Sequence, residues 1–466
     1  MSEKIVFLLL IALLLPTAYC KDIDVEQYVK KYWKTYHNKA IEIGNGDKRW
    51  PLTPELKAER LRHFHAMFER FAPYLVKEAE KIDQIFAWKK GTYLGILRFG
   101  VKKVEKKPEA INPAHECTSW ITMDNMTGGK EIIMHKNRDS KVRPITIQRR
   151  AIPGKHAWIG SGSCYSFYPT QGINDRGVVV MMNSGDAHPE SENSQYGLST
   201  GIICRILLEE CGTAEEAVAL LGKIVAANAY THVECGSIWF IGDYKNVYIT
   251  EQNARKIVTK PVNSGFIARA NAFHYPETQI SSLRDFKSLL AHSRREFVVR
   301  DYLVNKQWRQ NGVITALDNA AASRIDKFED EANVYPPCGR RTISGSTFVI
   351  DKEYPEFLST AYLALSSPAS SCYLPVPLTL QDVPEEICNG SYSNRSFELM
   401  DKKQHLLPAD KLAVLEKRLY ERHAAAVEKA RVLLRTSTSH TVKNDAAKLL
   451  NDTFMENFND LQSSVK

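Results

Sequence analysis

The sequence predicts an α+β protein, with β-sheets faced by helices, behind a helical leading segment. Three observations carry that reading. From Asp22 to Phe99 the text is rich in Lys, Glu and Ala, with aromatics at helical intervals. At Cys117 it changes to short β-rich runs, and helices then interleave with strands without a regular βαβ rhythm. The 466 residues, 44% hydrophobic and 25% charged, have an ordinary globular composition. That excludes a wholly disordered chain, a collagen-like fibre and a multi-span membrane protein. Net charge is +8, and most of the surplus lies within residues 21–116. The near-neutral remainder argues against a nucleic-acid surface on the main body.

Taken in order, Lys4 precedes an apolar run from Ile5 to Leu15, then Pro16, Thr17 and Ala18. This describes a secretory signal peptide over residues 1–20 and predicts a secreted, periplasmic or lumenal protein. The run is too short for a stable membrane span, which needs roughly 20 residues. Acylation of Cys20 is the alternative, but bulky Tyr19 stands where a small residue is wanted.

Residues 21–116 read as a helical segment. Tyr28, Tyr32, Trp33 and Tyr36, then Leu61, Phe64, Met67, Phe68 and Phe71, recur at helical spacing, and Thr53-Pro54-Glu55 reads as a helix start. Val101 to Pro113 is a basic, proline-marked linker. Strands are expected at Ile132–Met134, Val178–Met182, Ser237–Ile241, Asn246–Thr250, Thr347–Ile350 and Ala361–Leu365. Gly242–Asn246 is the hairpin connection between two of them. Helices are expected at Ser199–Cys211, Ala214–Ala226 and Asp410–Leu434. Gly160-Ser161-Gly162-Ser163-Cys164 reads most simply as a flexible turn. Export would allow the eight cysteines after Cys20 to form up to four bridges, with no spacing to pair them.

No phosphate loop, nucleophile elbow or zinc-binding helix motif is present, so neither cofactor nor metal is expected. The junction at Cys117 is the chemical feature. A cysteine opening a strand, with Lys136-Asn137-Arg138-Asp139 ending the next, would put thiol and charges at one edge of a hairpin. Nearby cations favour the reactive thiolate. On composition alone, a buried structural cysteine beside a polar turn fits as well.

Cys117-Thr118-Ser119 and Asn137-Arg138-Asp139 resemble motifs of the cysteine-type N-terminal nucleophile hydrolases. That group includes choloylglycine and penicillin V hydrolases, acid ceramidase and its relatives, and the acyl-CoA:6-aminopenicillanic acid acyltransferase family. About a hundred residues ahead of the cysteine make the chain most similar to the last. Gly172–Val178 leading to Met182-Asn183-Ser184-Gly185, then Ala270–His274, then Ser293-Arg294-Arg295, match in order. Thr342–Thr347 and Leu365–Pro368 are similar to the related cysteine dipeptidases.

The resemblance implies an αββα sandwich over residues 117–400, preceded by a helical pro-segment at 21–116 and followed by a helical tail at 401–466. It implies cleavage between Glu116 and Cys117, after which the new α-amine, of reference pKa about 7.7–8.0, acts as base for its own thiol. Cys117 would attack a linear amide and pass the acyl group to water or an amine. Asp139 would orient the amine; Asn183 and Asn271 would serve the oxyanion or the amine. Lys136, Arg138 and Arg294 (or Arg295) would bind substrate. The expected partners are a small amide substrate and the chain's own cleaved segment as subunit. In many relatives an arginine holds the place of Lys136, which keeps the charge but lacks the planar fork. Two alternatives remain: a cysteine dipeptidase, and a secreted binding protein without catalysis.

Overall fold

The computed structural model describes residues 25–26, 29, 53–99, 117–140, 144–163, 168–185, 197–230, 236–253, 256–263, 265–278, 286–326, 336–339, 341–402, 407–437 and 439–464. Residues 1–20, read as a signal peptide, the leading aromatics Tyr28, Tyr32, Trp33 and Tyr36, the basic linker, Glu116, Cys164 and Cys235 lie outside them.

Among the described residues the leading segment holds the helices α1 (Pro54–Phe71), α2 (Pro73–Ile85) and α3 (Thr92–Phe99). Helix α1 starts where expected, with Thr53 Oγ1 accepting from the Leu56 amide at 3.2 Å and Pro54 in the first turn. Phe64 and Phe68, one turn apart, are both buried. They join the same apolar cluster as the β-rich body, so this helical segment packs on the body and closes its core.

The body is two antiparallel sheets. One holds β1 (Thr118–Thr122), β2 (Glu131–Asp139), β10 (Phe266–Arg269), β11 (Thr342–Asp351), β12 (Thr360–Ala364) and β13 (Leu374–Pro377), in the order β10-β1-β2-β11-β12-β13. The other runs β3-β4-β5-β6-β7-β8-β9, from β3 (Ile145–Arg150), β4 (Trp158–Ser163), β5 (Gln171–Asn174) and β6 (Val179–Gly185) to β7 (Gly236–Gly242), β8 (Val247–Gln252) and β9 (Ile257–Pro261). Helices α4 (Thr200–Glu210) and α5 (Ala214–Ala226) cover the seven-stranded sheet. Helices α6 (Phe286–Arg300) and α7 (Ala316–Ala322) cover the other, through Trp120, Phe266 and Val299. The layers are helix, sheet, sheet, helix, as expected. After α8 (Ser391–Asp401), helices α9 (Ala409–Thr436) and α10 (His440–Ser464) pair with each other and pack on β13.

Two expectations change. Residues 158–163 form the buried strand β4 and not a turn. A Cβ on Gly160 would stand 2.4 Å from the Gln171 carbonyl oxygen, so glycine is required there for close strand approach. Of the described cysteines, Cys117, Cys204, Cys211, Cys338 and Cys372 are free thiols, and these and Cys388 are buried, so no bridge joins those five to one another. Burial pushes the Cys204 and Cys211 thiols up to about 12, which keeps them inert.

The Gly172–Val178 motif is a built turn. Asn174 Oδ1 accepts from the Arg176 and Val178 amides at 3.0 and 2.9 Å, and its Nδ2 donates to the Leu208 and Cys211 carbonyls. Gly177 closes the turn at φ +76°, where a side chain would be strained. This one asparagine ties the β5–β6 connection to the C-terminal end of α4.

Candidate active site

Antiparallel pairing sets Thr118 opposite Asn137 and Ser119 opposite Lys136, so the start of β1 and the end of β2 meet at one sheet edge. Strand alternation then sorts the side chains. Ser119 and Lys136 face the second sheet, where Ser119 Oγ donates to Asn183 Oδ1 at 2.8 Å and Lys136 Nζ donates to the Met182 carbonyl. His135 and Asn137 face the opposite way. His135 stacks on Trp120 at 3.9 Å, with its ring nitrogens against Thr347 and Asn137, and burial pushes its pKa down to about 3. Asn137 donates to the Ser323 and Pro337 carbonyls. It is a structural member of its motif.

A cavity of about 220 Å³ opens at this edge, lined by Cys117, Lys136, Arg138, Asp139 and Ser140 from the β1–β2 side. Tyr168, Thr170, Met182, Ser184 and the start of α4, Ser199 to Gly201, complete it. Cys117 is buried, and so are both cations. Burial lowers the Lys136 pKa from its ordinary value; Cys117 opposes that shift and the Arg138 charge adds to it. Asp139 Oδ1 accepts from Thr342 Oγ1 at 2.6 Å, beside a register shift of β11 between Thr342 and Ser344. A serine-rich seam connects the sheets next to the cavity: Gln171 Nε2 donates to Ser161 and Ser346, at 2.8 and 3.0 Å.

Of the paired arginines it is Arg295 that reaches the cysteine. Its Nη1 donates to the Cys117 carbonyl at 3.1 Å and to Thr118 Oγ1 at 3.2 Å, while Nη2 reaches Asn271 Oδ1 and His292 Nδ1. Arg294, half-buried on the same helix, does not line the cavity. The two asparagines do not line it either. Asn183 donates both amide hydrogens, to the Arg269 and Ala270 carbonyls, whereas Asn271 donates one to Ser184. Thr170, Ser199 and Thr200 lie outside every motif read in the sequence, because no spacing connects three elements of a sandwich, and Ser184 sits in the Met182–Gly185 motif without an assigned role. Among the described residues no group of three or more His, Cys, Asp or Glu is arranged to hold a metal. None of the described helices is long and apolar enough to cross a membrane.

The leading helices reach the same region through α4. Glu78 of α2, buried, receives Arg205 Nη1 and Nη2 at 2.6 and 2.8 Å and Arg150 Nη2 as a third donor. The two guanidiniums outweigh the burial that opposes them and hold its carboxyl down at about 2. Arg205 also donates to Glu209, which accepts from Tyr74 and Trp158. Tyr168 lines both this junction and the Cys117 cavity.

Solved structures resemble the chain loosely. Penicillin V acylase from Agrobacterium tumefaciens aligns at 15% identity over 56% of this chain and 86% of its own, with a TM-score of 0.36. A mutant conjugated bile acid hydrolase from Clostridium perfringens gives 12%, 57%, 95% and 0.37. A Caenorhabditis elegans N-acylethanolamine-hydrolyzing acid amidase ortholog gives 13%, 52%, 97% and 0.35. No curated protein matches the chain. The family model for acyl-coenzyme A:6-aminopenicillanic acid acyl-transferase matches residues 126–343, a little under half of the chain, beginning nine residues after Cys117. Over that stretch the chain is similar to the acyl-coenzyme A:6-aminopenicillanic acid acyl-transferase family.

Proposed function

We propose that this protein is an exported amidohydrolase or acyltransferase that cuts itself between Glu116 and Cys117 and then uses Cys117 as its nucleophile. The observation that carries this reading is the cavity in which Cys117, opening β1, shares walls with Lys136, Arg138 and Asp139 from the end of β2. In the mature form the Cys117 α-amine takes the thiol proton. Sγ attacks the carbonyl of a linear amide, the amine leaves with that proton, and the thioester passes its acyl group to water or to an acceptor amine.

Each residue has a role that its contacts support. Asp139, steadied by Thr342, orients the α-amine. Arg295 holds the Cys117 carbonyl. Asn271, with one amide hydrogen committed to Ser184, is better placed than Asn183 to donate to the oxyanion. Asn183 fixes Ser119 and the end of β10. Arg138 gives the cavity a positive character suited to a carboxylate on the substrate, and the Lys136 amine beside it is a hydrogen-bond donor to the same group. Residues 21–116 become a subunit that stays docked through Glu78, residues 117–400 the catalytic body, and 401–466 its helical tail.

Gel electrophoresis with N-terminal sequencing tests the proposal. Wild-type protein is expected as two chains, the larger starting at Cys117, and Cys117→Ala as one folded, uncut and inactive chain. A Cys117→Ala variant cut at the same bond would assign the cut to another protease. A wild-type protein that stays in one piece and hydrolyses none of a panel of acyl amides and dipeptides would refute the enzyme reading.

A further inference from the structure

The α-amine that serves the mature thiol does not exist as a base before the cut, when the same nitrogen is an amide. Some other group must take the thiol proton for the first reaction. We propose that Lys136 is that group: its neutral Nζ accepts the Cys117 thiol proton and later returns it to the departing Cys117 nitrogen. This rests on the self-cleavage proposed above and names the residue that starts it.

The geometry selects Lys136 from a short field. It stands opposite Ser119 on the face towards the second sheet and lines the same cavity as Cys117. Its Nζ donates to a neutral carbonyl, that of Met182, and not to a carboxylate that would hold it as an ammonium. The charged and titratable groups around it are Cys117 ahead of β1, Arg138 and Asp139 on β2, and Cys204 on α4. Burial lowers its pKa towards that of a thiol, the condition for efficient proton transfer between the two.

The competing bases are worse placed. His135 is on the far face with both ring nitrogens engaged. His292 Nδ1 is taken by Arg295. A carboxylate such as Asp139, of reference pKa about 3.9 against about 8.5 for a thiol, is a poor acceptor. An arginine in place of Lys136 would keep the charge but could not give up its proton.

The step balances without an outside reagent other than water. Nζ takes the proton from Sγ, and the thiolate attacks the Glu116 carbonyl carbon, forming a C–S bond and an oxyanion. The oxyanion collapses, the C–N bond breaks, and the Nζ ammonium returns its proton to the leaving nitrogen, which becomes the free α-amine. Water hydrolyses the Glu116 thioester, leaving a carboxylate at Glu116 and the Cys117 thiol.

The test is the rate of self-cleavage of freshly made full-length chain between pH 5 and 10. Wild type is expected to speed up with pH, with a midpoint below the ordinary lysine range. Lys136→Arg and Lys136→Gln, checked for fold by circular dichroism, are expected to cleave at least about 100-fold more slowly at neutral pH. Small primary amines should restore Lys136→Ala in proportion to their free-base concentration, which a merely structural lysine would not allow. Wild-type rate and pH profile in Lys136→Arg would overturn the proposal, as would a wild-type rate flat between pH 6 and 9. A wild-type chain never cut would instead overturn the self-cleavage reading beneath it, and the two failures are told apart on the same gel.

Discussion

Replacing Glu78 by Gln removes one charge from a buried cluster and keeps its volume. Arg150 and Arg205 would then face each other across an amide, with the Glu209 carboxylate still paired with Arg205. The size of the loss follows from the carboxyl itself. It is held at about 2 from an ordinary 4.5, and at 1.36 kcal/mol per pH unit that amounts to about 3 kcal/mol. Losses of about 3–5 kcal/mol are typical when one partner of a buried pair is removed. Because the folded pKa is depressed, this stabilisation is fully present above pH 4.5 and is lost as pH falls from 4.5 through 2. The variant should therefore unfold earlier in urea at pH 7, with the gap to wild type narrowing towards pH 2. Size-exclusion chromatography should also show the leading helices released more readily from the cut protein, since Glu78 is their buried ionic contact with β3 and α4. Equal urea midpoints at pH 7, within about 0.5 kcal/mol, would refute the claim that this cluster clamps the segment to the body.

Three further outcomes are expected. Asp139→Asn should preserve the unfolding midpoint yet lower turnover by about 100-fold or more, measured on any amide the wild type hydrolyses; unchanged turnover would remove Asp139 from the site. Arg295→Lys gives up the two-nitrogen fork that joins the Cys117 carbonyl to Asn271, and should cost about 100-fold in kcat with little change in KM, a displacement of the nucleophile being enough. Glu131 stands opposite Asp351 in the β2–β11 pair, and burial with that neighbour raises its pKa to about 7. Stability is then lost as pH rises from 4.5 through 7, so Glu131→Gln should stabilise the protein by about 1–2 kcal/mol at pH 8, discounted for partial exposure, and by nothing at pH 4 in thermal melts.

Elements whose signals are local are legible in the order of residues alone. Thr53-Pro54 starts a helix because a side-chain acceptor and a preset φ act within one turn. The runs at Val178, Ser237, Asn246 and Thr347 are strands whose residues are buried or half-buried between layers. Asp243 Oδ1 takes the Lys245 and Asn246 amides to close the hairpin read at Gly242–Asn246. Cys117 and the Lys136–Asp139 run were legible together because an antiparallel hairpin returns its two ends to one edge. Other features depend on contacts between elements far apart in the chain. Gly160 has the local signature of a turn residue, yet it is the Gln171 carbonyl of the neighbouring strand that requires glycine there. Nothing local distinguishes Arg294 from Arg295; the rotation of α6 against β1 does, by turning Arg295 towards Cys117. The cavity hydroxyls come from β5–β6 and the start of α4, and are brought to the thiol by the stacking of two sheets. A one-dimensional pattern records which face a strand buries, but the identity of the residue across a sandwich is set by how the layers register, and that is a property of the packed core.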